Sequence, residues 1–235
     1  MSEKLLKIKG LTAWYDPGKK ILKDLSLELN EKEVVGMIGL NGAGKTTFLK
    51  VITGLLKGYE ISEKTFNGED IGFRDNGFKS MRYVVFAEDS SFGYFTFNEY
   101  LKYVSSAYQK QLHDVEELIA GFHFEGYTDM LLKDLSTGNQ KKAFLIAGFA
   151  LRPELLFLDE PVNGLDFQST EYLYSLISGY KKYGTLLFSS HILESITLTS
   201  DRVLVLEEGH ITKQYEGDQI NANSIREALN YDDVV

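Results

Sequence analysis

The chain of 235 residues contains no cysteine, which removes disulfides, thiolate zinc sites and cysteine-ligated iron–sulfur clusters together. It has only three prolines, so little interrupts helices or buried strands. No apolar run approaches the roughly 20 residues that cross a bilayer; the longest candidate, Ala143 to Leu151, has a glycine inside it. The opening MSEKLLKIKG lacks the apolar core of a signal peptide. Both absences predict a cytoplasmic protein. Basic charge is in deficit, at a formal net charge of −9, which argues against a nucleic-acid partner, since that affinity comes mainly from Lys and Arg neutralising phosphates. The pairs Lys19-Lys20, Lys141-Lys142 and Lys181-Lys182 are scattered and read as solvated faces. There is no internal repeat or low-complexity linker, and 43% hydrophobic content suffices for one large domain, with or without an inserted lobe.

What is present centres on Val34 to Leu56, VVGMIGLNGAGKTTFLKVITGLL, which reads as strand, loop and helix. Val34, Val35, Met37 and Ile38 form a short apolar run typical of a strand buried on both faces. Gly39-Leu-Asn-Gly-Ala-Gly44-Lys45-Thr46 then satisfies G-x-x-x-x-G-K-[ST] at every fixed position. The glycines let backbone N–H groups converge on phosphate oxygens, and the following helix adds its positive N-terminal dipole. Lys45 would reach the β- and γ-phosphates and the Thr46 hydroxyl would ligate Mg²⁺. The residues assigned to the nucleotide here are Gly39, Asn41, Gly42, Ala43, Gly44, Lys45, Thr46 and Thr47.

Before this stretch, Lys4 to Gly10 and Leu11 to Tyr15 read as two short strands ending at the Asp16-Pro17-Gly18 turn, and Ile21 to Leu29 alternates with Leu22 outside the pattern. Together they predict an antiparallel N-terminal sheet. Tyr15, on its rim, either stacks on a purine base or packs on the strand end. Further on, Ile61 to Ile71 and Met81 to Phe86 read as strands, the second leading into Ala87-Glu88-Asp89. Ser90 to Asp134 reads as an inserted helical lobe. Thr96-x-x-Glu99 opens its first helix as a capping box, and Asp114 to Phe122 and Thr128 to Lys133 follow as further helical pieces.

Ser136 and Gly138 stand at the start of an apolar helix, Lys141 to Leu151, where a Ser serves as an N-cap or as part of a second anion site. Leu155-Leu-Phe-Leu-Asp159-Glu160 is an apolar strand that delivers two acids at its C-terminal edge. Given the phosphate loop, Asp159 would hold Mg²⁺ and Glu160 would orient and polarise an attacking water. Asn163-Gly-Leu-Asp166 makes a tight turn, Tyr172 to Tyr183 a helix, and Thr185 to Ser189 a strand that ends at Ser190-His191. Of the four histidines, His113, His123 and His210 read as structural, whereas His191 falls where an open α/β sheet binds ligands. Arg202 to Leu206 and His210 to Gln214 form a closing hairpin, with a short helical tail from Asp218.

In this order the motifs resemble the nucleotide-binding subunit of ATP-binding cassette (ABC) transporters, from about Leu5 to Gln214. The L-S-x-G element of LSTGN before the strand of acids, and a His after the next strand, carry the resemblance. It implies an α/β P-loop NTPase core with a RecA-like parallel sheet, an N-terminal antiparallel β subdomain and an inserted α-helical subdomain. The expected boundaries are 1–89 and 135–215 for the core, 90–134 for the helical insert and 216–235 for the tail. It also implies that Tyr15 stacks on adenine, Ser136 and Gly138 are signature contacts, Asp166 is the D-loop acid and His191 touches the γ-phosphate. Glu160, Asp159 and His191 would then be catalytic, with ATP and Mg²⁺ as cofactors.

The resemblance further implies a homodimer or pseudo-dimer of ATPase subunits closing on ATP. A separate integral-membrane permease subunit would hold the protein against the inner face of the cell membrane. Phe92, Tyr94 and Phe95 are expected to form part of the groove that receives the permease. Thr137 and Asn139 stand where the commonest family signature has Gly and Gln. The Q-loop glutamine is missing; Ala87 or Glu88 takes its place, and Glu88 is the candidate third metal ligand. Glu33 replaces a common glycine, with little expected consequence. Two other readings are an ABC-type ATPase outside transport and an ATP-dependent scaffold with weak hydrolysis.

Overall fold

The computed structural model describes residues 4–229, so the end of the expected tail, 230–235, lies outside the described residues. β1 (Lys4–Trp14) is a single strand rather than two, and it pairs antiparallel with β2 (Lys20–Asn30). Gly10, at φ +64, and Asp24, at φ +54, break the register between them. This irregularity explains Leu22: it is buried and Ile21 only half-buried, because the inward face shifts by one residue across the bulge. The chain then runs through β3 (Val34–Ile38) and α1 (Lys45–Ile52) and returns to the first sheet as β4 (Tyr59–Glu60), β5 (Glu63–Phe66) and β6 (Glu69–Asp70). The expected strand from Ile61 to Ile71 is broken at Asn67-Gly68, both at positive φ, which fold it into a hairpin.

α2 (Asn76–Met81), absent from the sequence reading, precedes β7 (Arg82–Val85), so Met81 ends a helix instead of opening a strand. Then come α3 (Phe97–Tyr108), α4 (Val115–Gly121), α5 (Thr137–Leu151), β8 (Leu155–Asp159), α6 (Phe167–Gly179), β9 (Thr185–Ser190), α7 (Leu193–Thr199), β10 (Arg202–Glu207), β11 (His210–Glu216) and α8 (Ala222–Ala228). The second sheet has the order β11-β10-β3-β9-β8-β7 and is parallel except for the β10–β11 hairpin. Every residue of β3, β8 and β9 is buried, as strands covered on both faces require. Ile38 pairs with Ser190 and Asp159 with Ser189. Three loops therefore leave one edge together: the phosphate loop, the loop of acids and the loop of His191.

Between β7 and α5 the capping box is present: Thr96 accepts from the Glu99 N–H and Glu99 from the Thr96 N–H. Phe97, Tyr100, Leu101, Val104, Phe122 and Phe124 belong to the same buried cluster as Val85, Leu156 and Leu158. The expected helix from Thr128 to Lys133 does not form. Single 3-10 turns at Glu125–Tyr127 and Leu132–Asp134 flank an extended Leu131, which bridges to Thr96 while Leu132 donates to the Phe95 carbonyl. Only one of the three aromatics expected to line a groove lies in the wall of a cavity here. Phe92 lines a cavity of about 780 Å³ with Phe86, Tyr100 and Tyr103, but Tyr94 and Phe95 are not in its wall. Tyr94 is 80% exposed with the Lys133 ammonium over its ring, and Phe95 packs on Phe92 and Tyr103.

Glu33 matters more than its turn position suggested. Its carboxylate is buried and receives both Nε and Nη2 of Arg202, together with the Asn30 N–H at 2.6 Å. The forked pair ties the turn before β3 to the start of β10. Losing the glutamate would strand a buried guanidinium, a change that costs about 3–5 kcal/mol.

Candidate nucleotide site

The phosphate loop is shaped by what surrounds it. A Cβ on Gly39 would lie 2.3 Å from the Leu206 carbonyl at the end of β10, and Gly42 and Gly44 have φ of +85 and +113. Only glycine meets both demands at little cost. The turn after β10 props the loop, Gly209 N–H donating to the Ala43 carbonyl. Gly44 is the N-cap of α1 and carries no side-chain cap, so the first N–H groups of the helix have no competing side-chain acceptor. Asn41 and Gly42 are exposed; Ala43, Lys45 and Thr47 are buried.

The side chains converge as the motifs require. Lys45 Nζ donates to the Gly39 carbonyl at 2.6 Å and lies 3.2 Å from Glu160 Oε1. The other Glu160 oxygen shares a 2.8 Å hydrogen bond with His191 Nδ1. Thr46 Oγ1 donates to Asp159 Oδ2 at 2.8 Å, and Ser189 Oγ donates to Asp159 Oδ1 at 2.6 Å. Both acids are buried, and each has the partners that burial demands. Glu160 itself sits at φ +46, a left-handed conformation unusual for a side chain of this size. Its N–H is held by Ser189 and its carbonyl by Lys141 Nζ, at 3.0 and 3.1 Å.

The remaining candidates lie outside this set of contacts. Tyr15 is half-exposed, with Lys50 of α1 5.7 Å from its ring centroid, which places it beside the phosphate-loop helix. Glu88 is exposed and shares the wall of the 780 Å³ cavity with Thr46 and Asp159; Ala87 lines it too. Ser136 caps α5, accepting from the Asn139 N–H at 3.2 Å. A Cβ on Gly138 would meet the Gly164 carbonyl at 2.3 Å, so this helix start abuts the Asn163–Asp166 turn. Among the described residues, neither Ser136 nor Gly138 hydrogen-bonds to the phosphate loop. Asp166 caps α6 through the Ser169 N–H; the buried Lys142 ammonium, 2.6 Å away, and then that N–H hold its carboxyl well below the usual carboxylate range.

Proteins of known family are similar to this chain in sequence and in fold. Residues 22–163, which include the phosphate loop, Ser136 and both buried acids, match the family model described as ABC transporter. The chain belongs to this family. It is 33% identical over 217 residues to AlbC of Bacillus subtilis, itself provisionally named an ABC transporter ATP-binding protein, covering 89% of this chain and 90% of that one. It is 30% identical over 218 residues to the ABC transporter ATP-binding protein NatA of the same organism, covering 90% and 88%. A solved structure described as the ATP-binding subunit of an ABC transporter superposes with a TM-score of 0.81 at 26% identity, covering 96% of this chain and 93% of that one. As an ABC ATP-binding chain it carries a P-loop ATPase fold, and among its described residues no helix is long and apolar enough to cross a membrane.

Sequence reasoning missed Ser189 and both lysines of α5. Lys141 and Lys142, expected on a solvated face, are buried: Lys141 binds the Glu160 and Asn163 carbonyls, and Lys142 the Phe122 carbonyl and Asp166. Burial lowers the Lys141 pKa, opposed by the charges of Asp159, Glu160 and Glu88. A signal was available: from Ala143 onward α5 is apolar all round, and a helix with no solvated face gives a lysine at its start no assured route to water.

Proposed function

We propose that this chain is the ATP-hydrolysing subunit that energises a separate membrane permease, closing as a dimer on ATP. The observation that carries the proposal is the Glu160 carboxylate, held between Lys45 and His191 beside the Thr46–Asp159 pair at the mouth of the phosphate loop. Lys45 draws charge from the β- and γ-phosphate oxygens. Glu160 takes a proton from water as the water oxygen bonds to the γ-phosphorus and the bond from that phosphorus to the bridging oxygen breaks, ADP leaving with the electron pair. His191 fixes the Glu160 carboxylate and faces the γ-phosphate. Thr46 Oγ1 and Asp159 Oδ2 are adjacent hard oxygen donors, a set that suits Mg²⁺, with Glu88 on the same cavity wall. When bound, Mg²⁺ supplies charge neutralisation at the phosphates.

Two copies would complete each site. The exposed Ser136 and the adjoining Gly138 would meet the γ-phosphate held by Lys45 of the second copy, with Asp166 at the same seam and Tyr15 stacked on the base. In support, the helix they open has no bond to its own phosphate loop among the described residues. Glu160→Gln should keep ATP bound, lose turnover by about 100-fold or more and accumulate as an ATP-dependent dimer in light scattering. Hydrolysis at the native rate would remove Glu160 from this role. The permease would dock in the cavity lined by Phe86, Phe92 and Tyr103. Tyr103→Glu should therefore release the protein from membranes with ATP binding intact, and undiminished co-purification with the permease would refute that docking site. The names of the relatives, which are transporter ATP-binding proteins, favour this reading over an ATPase outside transport.

A further inference from the structure

Lys141 is a buried ammonium that forms no ion pair among the described residues; its two hydrogen bonds go to backbone carbonyls, Glu160 at 3.1 Å and Asn163 at 2.8 Å. Packing α5 against the strand of acids does not require a charge there. An apolar residue of similar length would avoid the desolvation that burying an ammonium incurs. What the charge does is grip the turn that follows β8 at both ends. Within that grip, Glu160 holds its left-handed φ of +46, a conformation that persists only where the surroundings over-determine it.

We infer that Lys141 is a positioning residue for ATP hydrolysis: by holding the Glu160 and Asn163 carbonyls it fixes the strained Glu160 backbone, and so couples the aim of the Glu160 carboxylate to the placement of the Ser136 end of α5. The inference rests on the reading of Glu160 as the base. Lys141 follows Gly138 by three positions, just under one turn, on the same helix, so any displacement of that helix end, as when a second copy's phosphate engages it, is carried to the turn. Ser189 restrains the N–H side of Glu160 from β9, inside the sheet. Lys141 restrains the carbonyl side from α5, outside it. With Lys141 removed, the Glu160 carbonyl keeps, among the described residues, only the 3.3 Å turn bond from the Asn163 N–H; the strained backbone then relaxes to negative φ, and the carboxylate leaves its place between Lys45 and His191.

The test is Lys141→Met in the full chain, which keeps the length of the side chain and removes the donors. ATP affinity and KM should stay within about twofold of native, since the hydrogen bonds of Lys141 go to the turn after β8 and not to the phosphate loop, while kcat falls about 10- to 100-fold, the usual penalty for a displaced catalytic group. In a Glu160→Gln background the same substitution should add less than about twofold. Ile146→Ala, buried in the same helix, should lose at least as much thermal stability and keep its kcat, which separates positioning from general helix packing. Native kcat in Lys141→Met, or an equal fall in Ile146→Ala, would overturn the inference. If Lys141→Met does not fold, Lys141→Leu, which also lacks a donor, carries the same comparison with the same two outcomes. A native rate in Glu160→Gln would instead overturn the reading of Glu160, and this inference with it.

Discussion

The helices α1 and α5 both begin at a glycine-bearing turn, and both present an N-terminal dipole at the edge of the fold, yet they begin in opposite ways. α1 starts at Gly44 with no side-chain cap, and Lys45 and Thr46 of its first turn meet the buried acids Glu160 and Asp159. α5 starts at exposed Ser136, whose own hydroxyl already satisfies the Asn139 N–H. An uncapped helix start needs a partner for its donors, and α1 has a cationic side chain beside it to share that partner's charge. α5 is stable without one. The difference separates a helix start whose donors still need an anion from one that is already satisfied, and it is on the second that the proposed contact with another copy rests.

The largest effect should come from the uncapped end. Lys45→Ala removes about two charge-assisted hydrogen bonds worth roughly 1.5–3 kcal/mol each, so ATP affinity should fall roughly 10²- to 10⁴-fold in equilibrium titration. Unchanged affinity would mean that α1 is not the phosphate site. Ser136→Ala should cost about 1 kcal/mol of stability through the lost cap and slow turnover, while the single subunit binds ATP as before. Weakened binding by a monomeric Ser136→Ala protein would erase the contrast by placing α5 in its own copy's site. The smallest effect concerns α6, whose start is closed by an anion. Asp166 has a lowered folded pKa, so its contribution is whole above the ordinary value of 3.8 and is lost as pH falls through the folded value. Thermal melts of Asp166→Asn should show a shallower loss of stability on acidification than native, modest because the carboxylate is more than half exposed. Identical acid slopes would refute this linkage.

Elements with strong local determinants were legible in the chain itself. The phosphate-loop glycines, the apolar run before Asp159 and the Thr96–Glu99 box each carry their own geometry, and the helices and strands they announce are in place. The readings that failed depended on remote partners. Leu131 is extended because Thr96 pairs with it, not for want of helix formers. Tyr94 is outside the wall of the aromatic cavity, its ring lying under the Lys133 ammonium. Glu33 is a buried anchor because Arg202, 169 positions away, reaches its carboxylate.

By itself the sequence determined the chemistry: a phosphate loop with its lysine and threonine, two acids at the end of a buried strand, and a histidine after the next. Those are local patterns, set by glycine's freedom at positive φ and by the period of buried strands. Only the tertiary structure decided how that chemistry is aimed. Parallel pairing of β3, β9 and β8 brings Lys45, His191 and Glu160 to one edge. The left-handed turn at Glu160 is held from both sides, by Ser189 of one strand and Lys141 of a helix. No local pattern encodes that hold, because a buried lysine and a solvated one are the same letter until the helix that carries it finds the surface it packs on.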